Sequence, residues 1–218
     1  MNQVSLEQVW ISLTNLQHQA GRAIVAGIGG GECSGKSYLA ARLEAHAGGS
    51  AYAVCTLYMD GYLRYSREER HRLAGNGHDL KARSIRIGDH PGCFDLARLA
   101  RDIRHLKKGG CLERVLRYDY DHGRVVHDRS ALCISENTIL VVEGIFALHD
   151  ALLDSYDFTI YLEADPQVVW RRYLKRHLKR KTGDAASIKE VFQGSILPAQ
   201  EAYIEPTRWN ARLAGTLA

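Results

Sequence analysis

The apolar positions of this chain alternate between two rhythms. Residues Ala23 to Ile28 form a short continuous apolar run, followed by a glycine cluster and then by Leu39, Leu43 and His46 at helical spacing. That order predicts strand, loop, helix. Ala51 to Met59 is a second apolar, β-rich run, and it ends at Asp60. Ile139 to Val142, running into Glu143-Gly144, and Phe158 to Leu162 read as two further buried strands. Asp95 is placed to cap a helix carrying Leu96, Leu99, Ile103 and Leu106, stopped by Gly109-Gly110. Ser187 to Tyr203 is helical by its periodicity, and Leu6, Val9, Trp10, Leu13 and Leu16 predict an amphipathic helix within residues 1–20, packed on the body.

Strands alternating with helices predict an α/β fold, with a parallel sheet flanked by helices on both faces. Ligands of such sheets bind at the carboxyl ends of the strands. Two segments leave the rhythm. Residues 61–88 are polar and charged from Arg64 onward and read as an excursion from the core. Residues 111–136 hold short alternating stretches around Tyr118, Gly123 and Val125, most like a β-hairpin. After Pro206 no further strand is expected. The 218 residues suffice for one core, and the chain reads as a single domain. No apolar run approaches the roughly 20 residues of a membrane helix. Polar residues interrupt Met1 to Gly21, so that stretch does not read as a signal peptide.

Charge changes the picture in one place. The net charge of +4 is mild, but Arg171, Arg172, Lys175, Arg176, Lys179, Arg180 and Lys181 fall together with no acid among them. This basic helix, within residues 166–184, has three readings: a solvated face, a nucleic-acid surface, or a lid that handles phosphate. The five cysteines are odd in number and form no CxxC pair. No disulfide framework or zinc knuckle is expected, and a reducing cytoplasm fits. The histidines show no HExxH-like spacing, so no dedicated transition-metal site is expected.

Gly30-Gly31-Glu32-Cys33-Ser34-Gly35-Lys36-Ser37 fits G-x-x-x-x-G-K-[ST] in full, between a predicted strand and a predicted helix. Glycines let the backbone curl so that successive N–H groups point at phosphate oxygens. The helix beginning near Lys36 adds its positive end. Lys36 is expected to reach the β- and γ-phosphates of ATP, Ser37 to bind Mg²⁺, and the nucleotide contact to run on to Tyr38. Glu32 is the discordant residue, because a carboxylate beside a phosphate cradle is unfavourable unless it points outward. Two acids end neighbouring strands. Asp60 is placed to orient an attacking hydroxyl and accept its proton. Glu143 is placed to hold Mg²⁺, directly or through water.

From about Ala23 to Pro206 the chain resembles the uridine kinase and phosphoribulokinase family of P-loop kinases. The resemblance rests on several segments in order: the loop ending Ser34-Gly35-Lys36-Ser37; Asp60-Gly61-Tyr62; Asp89-His90-Pro91 with Phe94-Asp95; the Tyr118 segment; Val142-Glu143-Gly144-Ile145; Arg172 and Arg176; and Glu205-Pro206. It implies a P-loop fold with a substrate hairpin and a basic helical lid, ATP and Mg²⁺ as cofactors, and a small-molecule hydroxyl acceptor. It implies Asp60 as catalytic base, with Tyr62 beside it in the acceptor site. Ser37 and Glu143 would organise Mg²⁺, and Asp89 would bind sugar hydroxyls. Tyr118 and a nearby histidine would contact a nucleobase, and Arg176, with Arg172 and Lys181, would neutralise phosphate from the lid. Two histidines compete for the base, His122 in His122-Gly123-Arg124 and His127 in His127-Asp128-Arg129.

Three functions follow as expectations. The first is a nucleoside kinase acting on the 5′-hydroxyl of uridine or cytidine. The second is a kinase of the same fold for pantothenate, a sugar phosphate or nicotinamide riboside. The third is a nucleotide-dependent regulator or nucleic-acid-binding ATPase. Against the third, the chain has no N-K-x-D and no L-S-G-G. Nucleic acid is not an expected partner, nor, without an apolar run of roughly 20 residues, is a membrane, while a homo-oligomer is compatible with the sequence.

Overall fold

The computed structural model describes residues 2–128 and 130–218. In chain order these form β1 (Gln3–Val4), α1 (Leu6–Ala20), β2 (Ile24–Gly30), α2 (Lys36–Ala47), β3 (Ala53–Tyr58), α3 (Arg67–Ala74), α4 (Leu80–Ile87) and α5 (Leu96–Lys107). Then come β4 (Cys111–Leu112), β5 (Leu116–Asp119), β6 (Arg124–His127), β7 (Leu132–Cys133), β8 (Thr138–Glu143), β9 (Phe158–Glu163), α6 (Pro166–Lys179), α7 (Ala185–Val191) and β10 (Leu213–Leu217). Among the described residues six strands make one sheet in the order β1-β10-β9-β2-β8-β3, and every pairing in it is parallel.

Apolar runs rather than alternating ones are what a sheet covered on both faces requires, since successive side chains point to opposite sides. Ile24, Ala26 and Ile28 of β2 and Ile139 and Val141 of β8 pack with Val9 and Leu13 of α1 and Leu39 and Leu43 of α2. The intervening Val25, Leu140 and Val142 face the other way, onto Leu99, Ile103 and Leu106 of α5. Each fully buried side chain of this kind is worth about 1.5–3 kcal/mol relative to exposure. Local signals set the ends. Ser5 accepts a hydrogen bond from the N–H of Gln8 at 3.1 Å to start α1, and Asp95 accepts one from Arg98 at 3.0 Å to start α5.

Two expectations change. The segment after Pro206 does contain a strand, β10, which pairs with β9 and β1. Its residues Leu213 to Leu217 are mostly only partly buried, so they lack the dense apolar run that marked the other strands. The excursion after Asp60 holds α3 and α4, packed on each other. The cysteines also pair. β4 and β7 run antiparallel with Cys111 opposite Cys133, and the two form a disulfide across a separation of 22 residues. A spacing rule for neighbouring cysteines does not see a pair that strand register brings together. Cys33, Cys55 and Cys93 are free. No described helix is long and apolar enough to cross a membrane.

Candidate active site

The glycine loop links β2 to α2 at the carboxyl end of the sheet. Gly30 has φ 141°, and a Cβ there would stand 2.3 Å from the carbonyl oxygen of Leu162. The backbone therefore turns where only glycine fits. Lys36 is buried, and its Nζ donates to the carbonyl oxygens of Gly30 at 3.0 Å and Gly31 at 2.7 Å. The ammonium is thus held inside the curl of the loop. Because β2, β8 and β3 are adjacent, the loop, Glu143 and Asp60 end side by side. Ser37 Oγ donates to Glu143 Oε1 at 3.0 Å, which brings together the two predicted metal-organising oxygens.

These groups line a cavity of about 840 Å³, within the size range of small-ligand sites. Glu32, Lys36, Ser37, Asp60 and Glu143 form one side. Tyr118, Tyr120 and Arg117 of the hairpin segment and Arg172, Arg176 and Arg180 of the basic stretch form the other. The hairpin is seated by close approach: a Cβ on Gly61 would meet the carbonyl oxygen of Leu116 at 2.2 Å.

The basic helix lies against the loop. Arg172 Nη1 donates to the carbonyl of Cys33 at 3.0 Å, and Arg176 Nη1 donates to Glu32 Oε2 at 2.9 Å. Glu32 thus faces the cavity rather than pointing away from it, with its charge met by Arg176. Tyr173 of the same helix is buried with Cys33, Ile188 and Phe192 in a small apolar cluster, so the helix is packed and not merely solvated.

Burial pushes the Asp60 carboxyl above its ordinary range, opposed by a hydrogen bond donated by the hydroxyl of Tyr120. Burial likewise raises Glu143, opposed by nearby Lys36. Asp89 is raised well above the usual range by burial and then by the charges of Glu32 and Asp60. It is 6% exposed, its Oδ2 has no hydrogen-bond partner among the described residues, and it lies outside the cavity lining.

Other acceptor-side expectations separate. Tyr118 lines the cavity, with its hydroxyl accepting from Arg70 Nη2 at 3.1 Å. Tyr62 is 2% exposed, and its hydroxyl donates to Asp102 on α5 at 2.7 Å. It faces the core, so it is not in position to touch an acceptor in the cavity. Neither histidine enters. His122 sits at the hairpin turn, 69% exposed in its side chain, with Nδ1 2.6 Å from Asp119 Oδ2. His127 is exposed at the far end of β6, opposite Leu116. Arg124 is exposed, and Arg129 lies outside the described residues. Lys181 is exposed beyond the end of α6 and outside the lining.

Tyr120 and Arg180 are among the lining residues that were not candidate site residues. Tyr120 is two positions from Tyr118, the period of a strand. Arg180 continues the i, i+4, i+8 series of Arg172 and Arg176. Both periods were present in the sequence.

A parallel α/β sheet with a P-loop, two acids at neighbouring strand ends and a basic helix over them defines the class of P-loop kinases. The comparisons with known proteins agree. The model of the phosphoribulokinase / uridine kinase family matches residues 25–214. A uridine kinase from Staphylococcus aureus is 29% identical over 187 residues, covering 84% of this chain and 83% of that protein. Among solved structures, a candidate fructose transport system kinase from Silicibacter sp. TM1040 superposes with a TM-score of 0.70 at 21% identity, covering 93% of this chain and 98% of that one. D-glycerate 3-kinase from Cryptococcus neoformans does so with a TM-score of 0.63 at 14% identity, covering 90% and 87%. The chain belongs to the phosphoribulokinase / uridine kinase family. It is an ATP-dependent small-molecule kinase, a phosphotransferase.

Proposed function

We propose that the chain transfers the γ-phosphoryl group of ATP to the 5′-hydroxyl of a nucleoside, uridine or cytidine. The observation that carries the transfer is the single cavity in which Lys36, the Ser37–Glu143 pair, Asp60, Arg172 and Arg176 meet. The loop from Gly30 to Ser37, with Tyr38 beyond it, binds the phosphates through backbone N–H groups and Lys36. Ser37 and Glu143 present two hard oxygens, which suit Mg²⁺ with water completing its shell. When bound, that ion offsets phosphate charge. Asp60 holds the acceptor O–H and takes its proton as the new O–P bond forms and the bond to the β-phosphate oxygen breaks, releasing ADP. Arg172 and Arg176 stabilise the charge on the moving group and exclude water.

The nucleoside acceptor is supported by the 29%-identical uridine kinase and by Tyr118, whose ring on the cavity suits a flat base. A second reading rests on a specific observation: His122 and His127, the two candidates for contact with a base, both stand outside the cavity lining. That favours an acceptor read without a base, such as a sugar or a hydroxy acid. The names of the structural neighbours, a candidate fructose transport system kinase and a D-glycerate kinase, fit it.

The test is transfer of radiolabelled γ-phosphate to a panel: uridine, cytidine, 2′-deoxyuridine, fructose, fructose phosphates, D-glycerate, pantothenate and nicotinamide riboside. Uridine and cytidine are expected to turn over fastest, with Lys36→Ala reducing the rate at least about a hundredfold. Fastest turnover of a sugar or hydroxy acid selects the second reading. ATP turnover stimulated only by RNA or DNA removes the metabolite-kinase reading.

A further inference from the structure

The residue that touches Asp60 belongs to the hairpin segment and not to the sheet. Tyr120 follows β5 directly, and its hydroxyl donates to Asp60 Oδ2. The ring is held on its other sides. Arg180 lies over it, with Cζ 4.2 Å from the ring centroid, and Tyr118 packs edge-on with centroids 5.0 Å apart. The backbone carbonyl of Tyr120 accepts from Arg67 Nη2 at 2.6 Å. Yet Tyr120 is 43% exposed. A tyrosine this open to the cavity contributes little as core, so a packing role does not account for its place.

We propose that Tyr120 is a positioning residue for phosphoryl transfer, fixing the rotation of the Asp60 carboxylate, and that Arg180 holds Tyr120 there when the basic helix lies over the loop. This rests on the kinase reading above. A carboxylate that accepts from Tyr120 through Oδ2 has its plane set, and Oδ1 is left to meet the acceptor hydroxyl. A freely rotating carboxylate samples that geometry only part of the time. The basic stretch is the connection. Arg172 and Arg176 tie it to the loop that grips the donor, and Arg180, one turn further on, reaches the hairpin that faces the acceptor. Closing the helix over the donor therefore also sets the base.

The experiment is a double-mutant cycle on the full chain: wild type, Tyr120→Phe, Arg180→Leu, both together, and Arg180→Lys. Turnover and KM for ATP and uridine are measured, with melting temperature as a check on folding. Losing a hydrogen bond to a charged group is expected to lower kcat about tenfold or more in Tyr120→Phe. Both KM values should stay within about threefold, since positioning acts on the transfer step. Removing a cation from a ring face should lower kcat about two- to fivefold in Arg180→Leu, and Arg180→Lys should restore most of it. The double variant should match Tyr120→Phe, because Arg180 acts through the hydroxyl that is already gone. A kcat within twofold of wild type in Tyr120→Phe overturns the proposal. So do singles that multiply in the double variant, or a rise in the acceptor KM at unchanged kcat, which makes Tyr120 a binding wall. If wild type transfers nothing to uridine, only the nucleoside reading fails. The same ratios are then read on the fastest acceptor of the panel, or on phosphate released to water.

Discussion

Asp60 carries opposed demands at the scale of one side chain. Transfer needs its carboxylate ionised, and its burial favours the protonated form. The acid limb of the activity profile is therefore expected above the ordinary aspartate value of about 3.9. Asp60→Asn removes the proton acceptor while keeping size and the contact with Tyr120. It is expected to lower kcat at least about a hundredfold and to abolish that limb, with ATP affinity nearly unchanged. The stability effect has the opposite sign. A carboxyl raised in the fold binds its proton more tightly there than in the unfolded chain, so stability falls as pH rises through the two values. At neutral pH Asp60→Asn should melt at a higher temperature than wild type, the signature of a residue kept for function. A calorimetric scan beside the rate profile checks both. An unchanged rate with lost ATP binding would make Asp60 a nucleotide-binding group instead.

At the scale of elements, the strands were legible wherever both sheet faces are buried, because continuous apolar runs such as Ile139 to Val142 have no other use. β10 was not, since partly buried Leu213 to Leu217 depend on β1 and β9 for their place. The disulfide and the acceptor wall were hidden for a related reason. Both depend on hairpin register, which sets Cys111 against Cys133 and turns His122 away while leaving Tyr118 on the cavity. The phosphate side of the site was readable because its chemistry is local: loop, helix start and Lys36 fall within a few residues. The basic helix yields an element-scale prediction. Arg172 and Arg176 share the face on the loop, whereas Lys175 is exposed on another. Arg176→Ala is expected to lower turnover at least about tenfold with the melting temperature near wild type, and Lys175→Ala to change neither by more than about twofold. A nucleic-acid surface makes a different forecast, in which each basic residue lowers the salt slope of RNA binding by about one. Turnover and RNA binding of the single variants at two salt concentrations tell the two apart, and a silent Arg176→Ala would remove the lid role from α6.

Over the whole molecule, function and stability divide between the two ends of the sheet. The cavity occupies the carboxyl ends of β2, β8 and β3, and the opposite end is tied by one carboxylate. Asp157, just ahead of β9, accepts from Arg22 Nη2 at 2.8 Å, from the N–H of Val25 at 2.9 Å and from Lys107 Nζ at 3.0 Å. It thereby joins the α1–β2 turn, β2, α5 and the entry to β9. Burial pushes its carboxyl up, but Arg22, the Val25 N–H and Lys107 together outweigh burial and hold it below the ordinary range. A carboxyl depressed in this way gives stability that is fully present above its unfolded value and is lost as the pH falls through the folded one. Asp157→Asn should therefore cost about 1.5–3 kcal/mol at neutral pH, the range for hydrogen bonds to a charged group. The gap between wild type and variant should hold down to about pH 5 and close below it, as the wild-type carboxyl is protonated in its turn. Because the site is at the far end, KM for ATP and kcat should stay within about twofold. Denaturant unfolding of both proteins across pH, with kinetics at neutral pH, measures each part. A gap that persists at the lowest pH would mean that Asn fails by shape rather than by charge. A large loss of kcat would mean that the two ends of the sheet are coupled.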